Sequence, residues 1–524
     1  MRPNCSKLAM FVAIIAAASS LLFPSVASAQ STDAASLLAL HHSYVGWQFG
    51  DGTFTSLRET GNVVNTSPTG GATPRPPSPI STLVRGVVFR DTQVDPDSGR
   101  RTDDGFTGHV FWQSNDNGFT HPVIGDEQKY LVSIQFLNNE ATAQLTGTLE
   151  TPVQIDGTSY PVVRVSPGAG FPIDLAIDPK TGAYVRAVID PGGSYEETID
   201  IVSYAAPLPG KRVIASYRSH GSHYTQIYST FQANVPISDV ELHPPAQTAT
   251  WIFANPNPFP IDARGDFILV PATINGVYGT FLLDTGADGI VLMNDFAARA
   301  HVRRAASTLM SGIGGTTSAE VDILDSVVVG GNTLSNVTAI SAPMGNDYRG
   351  VLGGAYNGQR VDGLLGYDLM GGAIVKVNIG ASTMTILGPS TANLSGERGI
   401  GLNVDLSSSH PMVPMTLDGS ISVNAILDTG DALGIGYSRE LVGKYHLAVV
   451  RVIGRIEGVA GPEITSCGSL GTLQIGPITY VGELACETSA LTGTDLLVGI
   501  AFLHRFNLVF NYPHGQLILE PLNP

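Results

Sequence analysis

Apolar and polar positions alternate along most of this chain, which marks it as built from strands. A short helical pattern, TDAASLLALHHSYVG, comes first, and segments such as YLVSIQF, YPVVRVS, AYVRAVI, ETIDIVSY, RVIASY and YTQIYSTFQ follow it. Period two over five or more residues puts one strand face on a core and the other in water. Turn chemistry separates the segments, as in IDPKTG, IDPGGS and PLPGK. The pattern predicts an N-terminal antiparallel meander over 30–245, with a Pro-rich loop from Thr66 to Ser81 inside it and a Pro-rich linker over 246–261.

Beyond the linker the pattern occurs twice. VPATINGVYGTFLLDTG ends on Asp284-Thr285-Gly286, and VPMTLDGSISVNAILDTG ends on Asp428-Thr429-Gly430. Each copy has Val-Pro-x-Thr and then Asn-Gly or Asp-Gly, the pair favoured in a two-residue hairpin turn. Later, VDGLLGYDL (Asp362 to Gly366 as D-x-L-L-G) matches TDLLVGIAF (Asp495 to Gly499 as D-x-L-V-G), and a closing strand, MTIL or QLIL, follows each. Four shared features in one order predict two copies of one β-rich lobe, 262–395 and 396–524. The expected architecture is all-β: two pseudo-symmetric closed barrels preceded by the meander.

In both copies an apolar run of the kind that fills a buried strand stops on a carboxylate, where a charge is expensive to hold. Two such groups related by a pseudo-twofold axis can face each other and share one proton, because like charges that close cannot both ionise. One member then serves as base and the other as acid, enough to activate a water and polarise a carbonyl. Thr285 and Thr429 can lock the two loops together by hydroxyl hydrogen bonds. Gly286 and Gly430 let backbone N–H groups approach the carboxylates.

These motifs resemble the retropepsin and pepsin clan of aspartic peptidases, in the bacterial form with both lobes in one chain. The resemblance spans about residues 262–524. It implies that Asp284 and Asp428 are catalytic and that the substrate is a peptide or unfolded protein. MSGIGGTT (Met310 to Thr317) resembles the glycine-rich flap, which assigns Gly312, Ile313, Gly314 and Gly315 to a hairpin tip that closes on substrate. Arg455 to Ser466 is the matching stretch of the second lobe. Two positions depart from the family pattern. Asp431 stands where Ser or Ala follows the glycine, and the flap tip has no tyrosine. A third carboxylate at 431 either raises the pair's pKa by repulsion or points to solvent. The N-terminal helix and meander resemble the half-barrel of periplasmic lipoprotein carriers, whose concave face holds acyl chains.

Composition narrows the partners. A formal net charge of −17 disfavours nucleic acid and anionic membranes. Arg2 and Lys7 flank the start of LAMFVAIIAAASSLLF, and VASA follows; this is the order of a signal peptide over 1–29. No later run approaches the roughly 18–20 apolar residues of a membrane span. The expectation is export, to the periplasm or beyond, with no integral membrane segment. Cys467 and Cys486 lie equally far from Gly476-Pro477. If that pair is a two-residue hairpin turn they face each other and form a disulfide; a register slip leaves two thiols.

Rival chemistries fit less well. DTGADG offers Asp284, Asp288 and Gly289 to a calcium loop, but Gly286 and Asp295 fail their positions. His41-His42 and His220 with His223 lack further ligands at metal-site spacing, so no metal or other cofactor is expected. G-x-S-x-G is absent. The function read from the chain is aspartic endopeptidase. The alternatives are a non-catalytic peptide-binding module and lipid or lipoprotein binding by the N-terminal domain.

Overall fold

A computed structural model describes residues 33–65, 76–142, 145–193, 195–221, 223–312, 315–343, 360–390, 394, 397–432, 434–438, 441, 443, 452–458, 461–488, 491, 494–522. The expected signal peptide, Ile313 and Gly314 lie outside the described residues. No described helix is long and apolar enough to cross a membrane.

The N-terminal region is one open antiparallel sheet of 13 strands; sequence neighbours pair except Thr120–Pro122 and Thr148–Ile155, which form its two edges, and the first strand, Leu57–Asn65, pairs with the last, Tyr224–Ala233. The helix Ala34–Val45 opens the domain. Asp33 accepts the Ser36 N–H at 2.6 Å at its start, and Gly46 ends it with φ 78°. A second helix, Gly125–Asn138, separates the two halves of the meander. It contains YLVSIQF, which the alternation assigns to a strand. Leu131, Ile134 and Leu137 recur at three-residue spacing and are buried. Asp126 and Glu127 favour the first turn, and no turn residue interrupts the tract. The spacing of the large apolar residues, not the local alternation, decides its conformation.

In lobe 1 six strands close a ring. In order they are Leu269–Ile274, Val277–Leu283, Gly363–Leu365, Ile290–Met293, Asn332–Ala342 and Gly315–Val329, which returns to the first. Lobe 2 repeats the order, with its long hairpin interrupted. Thr472–Ile475 pairs Ile478–Val481, and Gly461–Ser469 pairs Leu484–Glu487. Leu470 N–H to the Glu483 carbonyl (2.9 Å) and Gly482 N–H to the Gly471 carbonyl (2.9 Å) bridge the break. Cys467 and Cys486 are opposed in that register and joined as a disulfide. The hairpin turns are Asn275-Gly276 (φ 48°, 82°) and Asp418-Gly419 (φ 46°, 69°). Positive φ at both positions is what brought Asn-Gly and Asp-Gly there.

A six-stranded sheet joins the lobes, with Ile374–Asn378 of one beside Phe506–Asn511 of the other. The Pro-rich segment 246–261 pairs into this body: Thr250–Ile252 adds to Asn332–Ala342, and Phe259–Pro260 adds to Thr383–Leu387. The N-terminal domain is docked on lobe 1. Phe119 is fully buried in the core of the lobes. Asn115 and Asn117 each donate to Asp368 at 2.8 Å, and His121 hydrogen-bonds the Tyr367 hydroxyl at 2.7 Å.

Candidate active site

Both aspartates stand where a strand of the closed ring runs out. Val277–Leu283 delivers Asp284, and Ile421–Asp428 ends on Asp428. In each lobe the short strand of the D-x-L element runs parallel to that strand and antiparallel to the next, so it fills the gap under the Asp-Thr-Gly loop. Asp362 and Asp495 clasp this insertion in the same way. Asp362 N–H donates to the Thr280 carbonyl (2.8 Å) while its carboxylate accepts the Thr280 N–H (3.2 Å). Asp495 does the same with Asn424, at 3.2 and 3.0 Å. The repeat in sequence is thus a repeat in hydrogen bonding.

The two loops are cross-linked at their threonines. The Thr285 hydroxyl donates to the Leu427 carbonyl (2.6 Å) and accepts the Thr429 N–H (3.0 Å). The Thr429 hydroxyl donates to the Leu283 carbonyl (2.7 Å) and accepts the Thr285 N–H (3.1 Å). Both side chains are buried. Valine at either position keeps the shape and strands a buried carbonyl and a buried N–H. We expect Thr285→Val or Thr429→Val to cost about 2–4 kcal/mol, read as a lower urea midpoint. A loss below about 0.5 kcal/mol would mean that the lobes do not depend on this cross-link.

The carboxyl groups meet between the loops. Gly286 N–H donates to Asp284 Oδ1 (2.9 Å), Gly430 N–H donates to Asp428 Oδ1 (2.7 Å), and the two carboxyls hydrogen-bond each other. The glycines are needed for more than turning. A Cβ at Gly286 would lie 2.4 Å from Asp428 Oδ2, and one at Gly430 would lie 2.3 Å from Asp284 Cγ. Each loop leaves room for the other lobe's acid. Burial pushes both carboxyls up, and Asp284 adds charge repulsion to Asp428. Asp431 is buried, and its charge also raises Asp284; of the two orientations open in the sequence, the structure has the inward one.

One contributor was missed in the sequence. His410, from the loop before Met412–Leu417, places Nε2 2.7 Å from Asp288 Oδ1 of lobe 1, with the Gly286 backbone close enough to favour its charged form. Burial alone would depress this imidazole, but its bond to Asp288 and the nearby carboxylates raise its pKa. Its charge in turn lowers Asp428. Aligning the repeats on Val-Pro sets His410 against Phe267; a polar residue replacing an apolar one in only one copy was the available signal.

Of the expected flap, Gly312 pairs with Gly315 at the end of the hairpin formed by Arg303–Gly312 and Gly315–Val329. A second hairpin, Val452–Gly458 with Gly461–Ser469, occupies the matching place in lobe 2. Among the described residues no group of three or more His, Cys, Asp or Glu side chains is placed to hold a metal ion.

Comparison with known proteins agrees with this geometry in lobe 1. Residues 270–369 match the family described as aspartyl protease. The matched segment contains Asp284 and Asp362 and stops short of the second copy. Lobe 1 is an aspartyl protease-like domain. No curated protein gives a significant match. Among solved structures, a DUF1329 family protein from Desulfovibrio piger is similar at 11% identity, covering 40% of this chain and 95% of its own, with a TM-score of 0.29. A LolA superfamily protein from Nitrosomonas europaea is similar at 13% identity, covering 41% and 98%, with a TM-score of 0.30. Likeness of that degree carries no weight for function.

Proposed function

We propose that the chain is an exported aspartic endopeptidase acting through Asp284 and Asp428. The observation that carries this reading is the pairing of two buried carboxyls from symmetry-related loops, each held by its own glycine N–H. The pair shares one proton and positions a water. The ionised member takes a proton from that water as it attacks the peptide carbonyl. The protonated member donates to the developing oxyanion and then helps protonate the leaving amine. The proton belongs to the pair, so neither residue is assigned as the sole base. An extended peptide lies between the lobes, its backbone paired to the edges of the two glycine-tipped hairpins. The disulfide and the basic-then-apolar N-terminus support export.

The test is hydrolysis of an unfolded protein mixture by the mature chain, with and without a transition-state analogue of peptide hydrolysis. Cleavage blocked by the analogue supports the dyad. Peptide binding with no cleavage at any pH would move the lobes to the non-catalytic binding module.

The pH profile is a separate expected result. Asp284 is pushed up to about 6 and Asp428 to about 8, so the singly protonated pair is most populated between those values. Below the window both carboxyls are protonated and no base remains; above it both ionise and the acid is lost. His410 as a cation favours the ionised form of Asp428, so removing it raises the upper limb. We expect His410→Gln to move that limb up by roughly half to one unit. A limb that stays in place, or moves down, would mean that His410 does not act on the pair.

A further inference from the structure

One row of the N-terminal sheet is polar and acidic, beside an apolar row of Val84, Phe89, Phe106 and Phe111. Register sets Glu59 opposite Thr82, Thr82 opposite Asp91, Asp91 opposite Asp104, and Asp104 opposite Gln113. Directly opposed residues share a face, so five strands present one polar row. Four members of that row, from Thr82 to Gln113, line a cavity of about 670 Å³. Tyr130, Tyr217, Tyr224 and Tyr228 lie around it, and Val321, Thr338 and Ile340 of lobe 1 close one side.

Among the described residues no basic side chain is paired with the row. Like charges directly opposite in a sheet are destabilising, yet Asp91 and Asp104 are opposed inside the domain. Arg100 is the one basic side chain among the described lining residues; Asp116 and Asp368 lie near enough to favour its charge, and its Nη1 is buried without a hydrogen-bond partner. Glu59, at the end of the row and outside the cavity lining, is only 8% exposed. Asp91 Oδ1 is buried without a partner, although Thr82 hydrogen-bonds the same carboxyl. Burial pushes Glu59 up to about 8 and Asp91 up to about 6. Such a row is a cost to the empty fold and a set of acceptors for a cation.

We propose that this cavity binds the basic side chain of a peptide, an alkylammonium or guanidinium group seated against Asp91 and Asp104. The tyrosine rings suit that class, since an organic cation is attracted to an aromatic face. An acyl chain would leave the carboxyls dehydrated and unpaired. The cation chemistry stands on the cavity; only the peptide nature of the ligand rests on the proposed hydrolysis. Val321 belongs to the strand Gly315–Val329, which runs on to the glycine hairpin of lobe 1. A chain held here is therefore beside the lobe that carries Asp284.

The test is calorimetry on the full chain carrying Asp284→Asn, titrated with tri-lysine, tri-glutamate, spermidine and laurate. Binding is read without turnover, so failure here leaves the catalytic reading untouched, and failed hydrolysis leaves this one untouched. We expect tri-lysine to bind and tri-glutamate and laurate not to. Asp91→Asn with Asp104→Asn should weaken tri-lysine about tenfold or more. That double variant removes an opposed like-charge pair, so it should melt no lower than its parent. If it does not fold, Asp91→Asn alone carries the same expectation. Laurate binding, spermidine binding without tri-lysine, or tri-lysine affinity unchanged in the variants would each overturn the proposal.

Discussion

Asp284→Asn and Asp428→Asn are each expected to lower hydrolysis on the order of 10³-fold or more, and the variant chains to stay folded and resist heat better than the parent at neutral pH. The loss of activity follows from the shared proton: an amide cannot exchange roles with a carboxylic acid, so neither the base nor the acid can be supplied by the remaining partner. The gain in stability follows from linkage. Asp284 has its folded pKa raised from 3.8 to about 6, with burial the largest cause. A carboxyl so raised costs nothing below its unfolded pKa, where both states hold the proton. The cost grows as pH rises and is complete above about 6, where it amounts to about 3 kcal/mol. Melting of the Asp284→Asn variant and its parent should coincide near pH 4 and separate near pH 7. Activity retained in either variant would remove the dyad from the mechanism. Equal melting at both pH values would mean that Asp284 is not buried in solution.

Gly286→Ala and Gly430→Ala are expected to inactivate with less effect on folding. The added methyl at 286 meets Asp428 Oδ2 at 2.4 Å, and at 430 it meets Asp284 Cγ at 2.3 Å. No contact that short survives, so the opposing carboxyl must turn away. Displacement of a reacting group by about 1 Å costs on the order of 10²-fold in rate. The fall should appear in kcat with KM little changed, because the hairpins proposed to hold the peptide are untouched. The glycines themselves have no left-handed φ, so alanine strains contacts more than backbone. An alanine variant with parental kcat would mean that the two acids do not approach as closely as described.

The two lobes and their acids were legible because the chain states them twice. Duplicated order, from Val-Pro through Asp-Thr-Gly to D-x-L-x-G, carries more information than any one motif. A symmetric pair of loops must then present equivalent residues to each other. The hairpin turns at Asn275-Gly276 and Asp418-Gly419 were legible for a local reason, since few residue pairs accept positive φ twice. The facing of Cys467 and Cys486 followed from the turn at Gly476-Pro477, because a hairpin fixes register by counting from its tip.

Other features were invisible for equally physical reasons. YLVSIQF alternates over seven residues, but its neighbours on both sides complete a helical face, and a short apolar run cannot distinguish the two periods. His410 reaches the dyad from a loop that sequence periodicity does not describe, and its partner Asp288 belongs to the other lobe. The polar row Glu59, Thr82, Asp91, Asp104 and Gln113 comes from five strands, and no linear pattern joins them. Within its own strand each acid sits among ordinary sheet alternation. Periodicity, turns and repetition act between near neighbours in the chain, so the sequence by itself determined strand content, the twofold organisation and the two acids. Pairing across strands, burial and contacts between lobes act between distant neighbours. Only the tertiary structure decided which charges meet, which are left without a counter-ion, and how far each holds its proton.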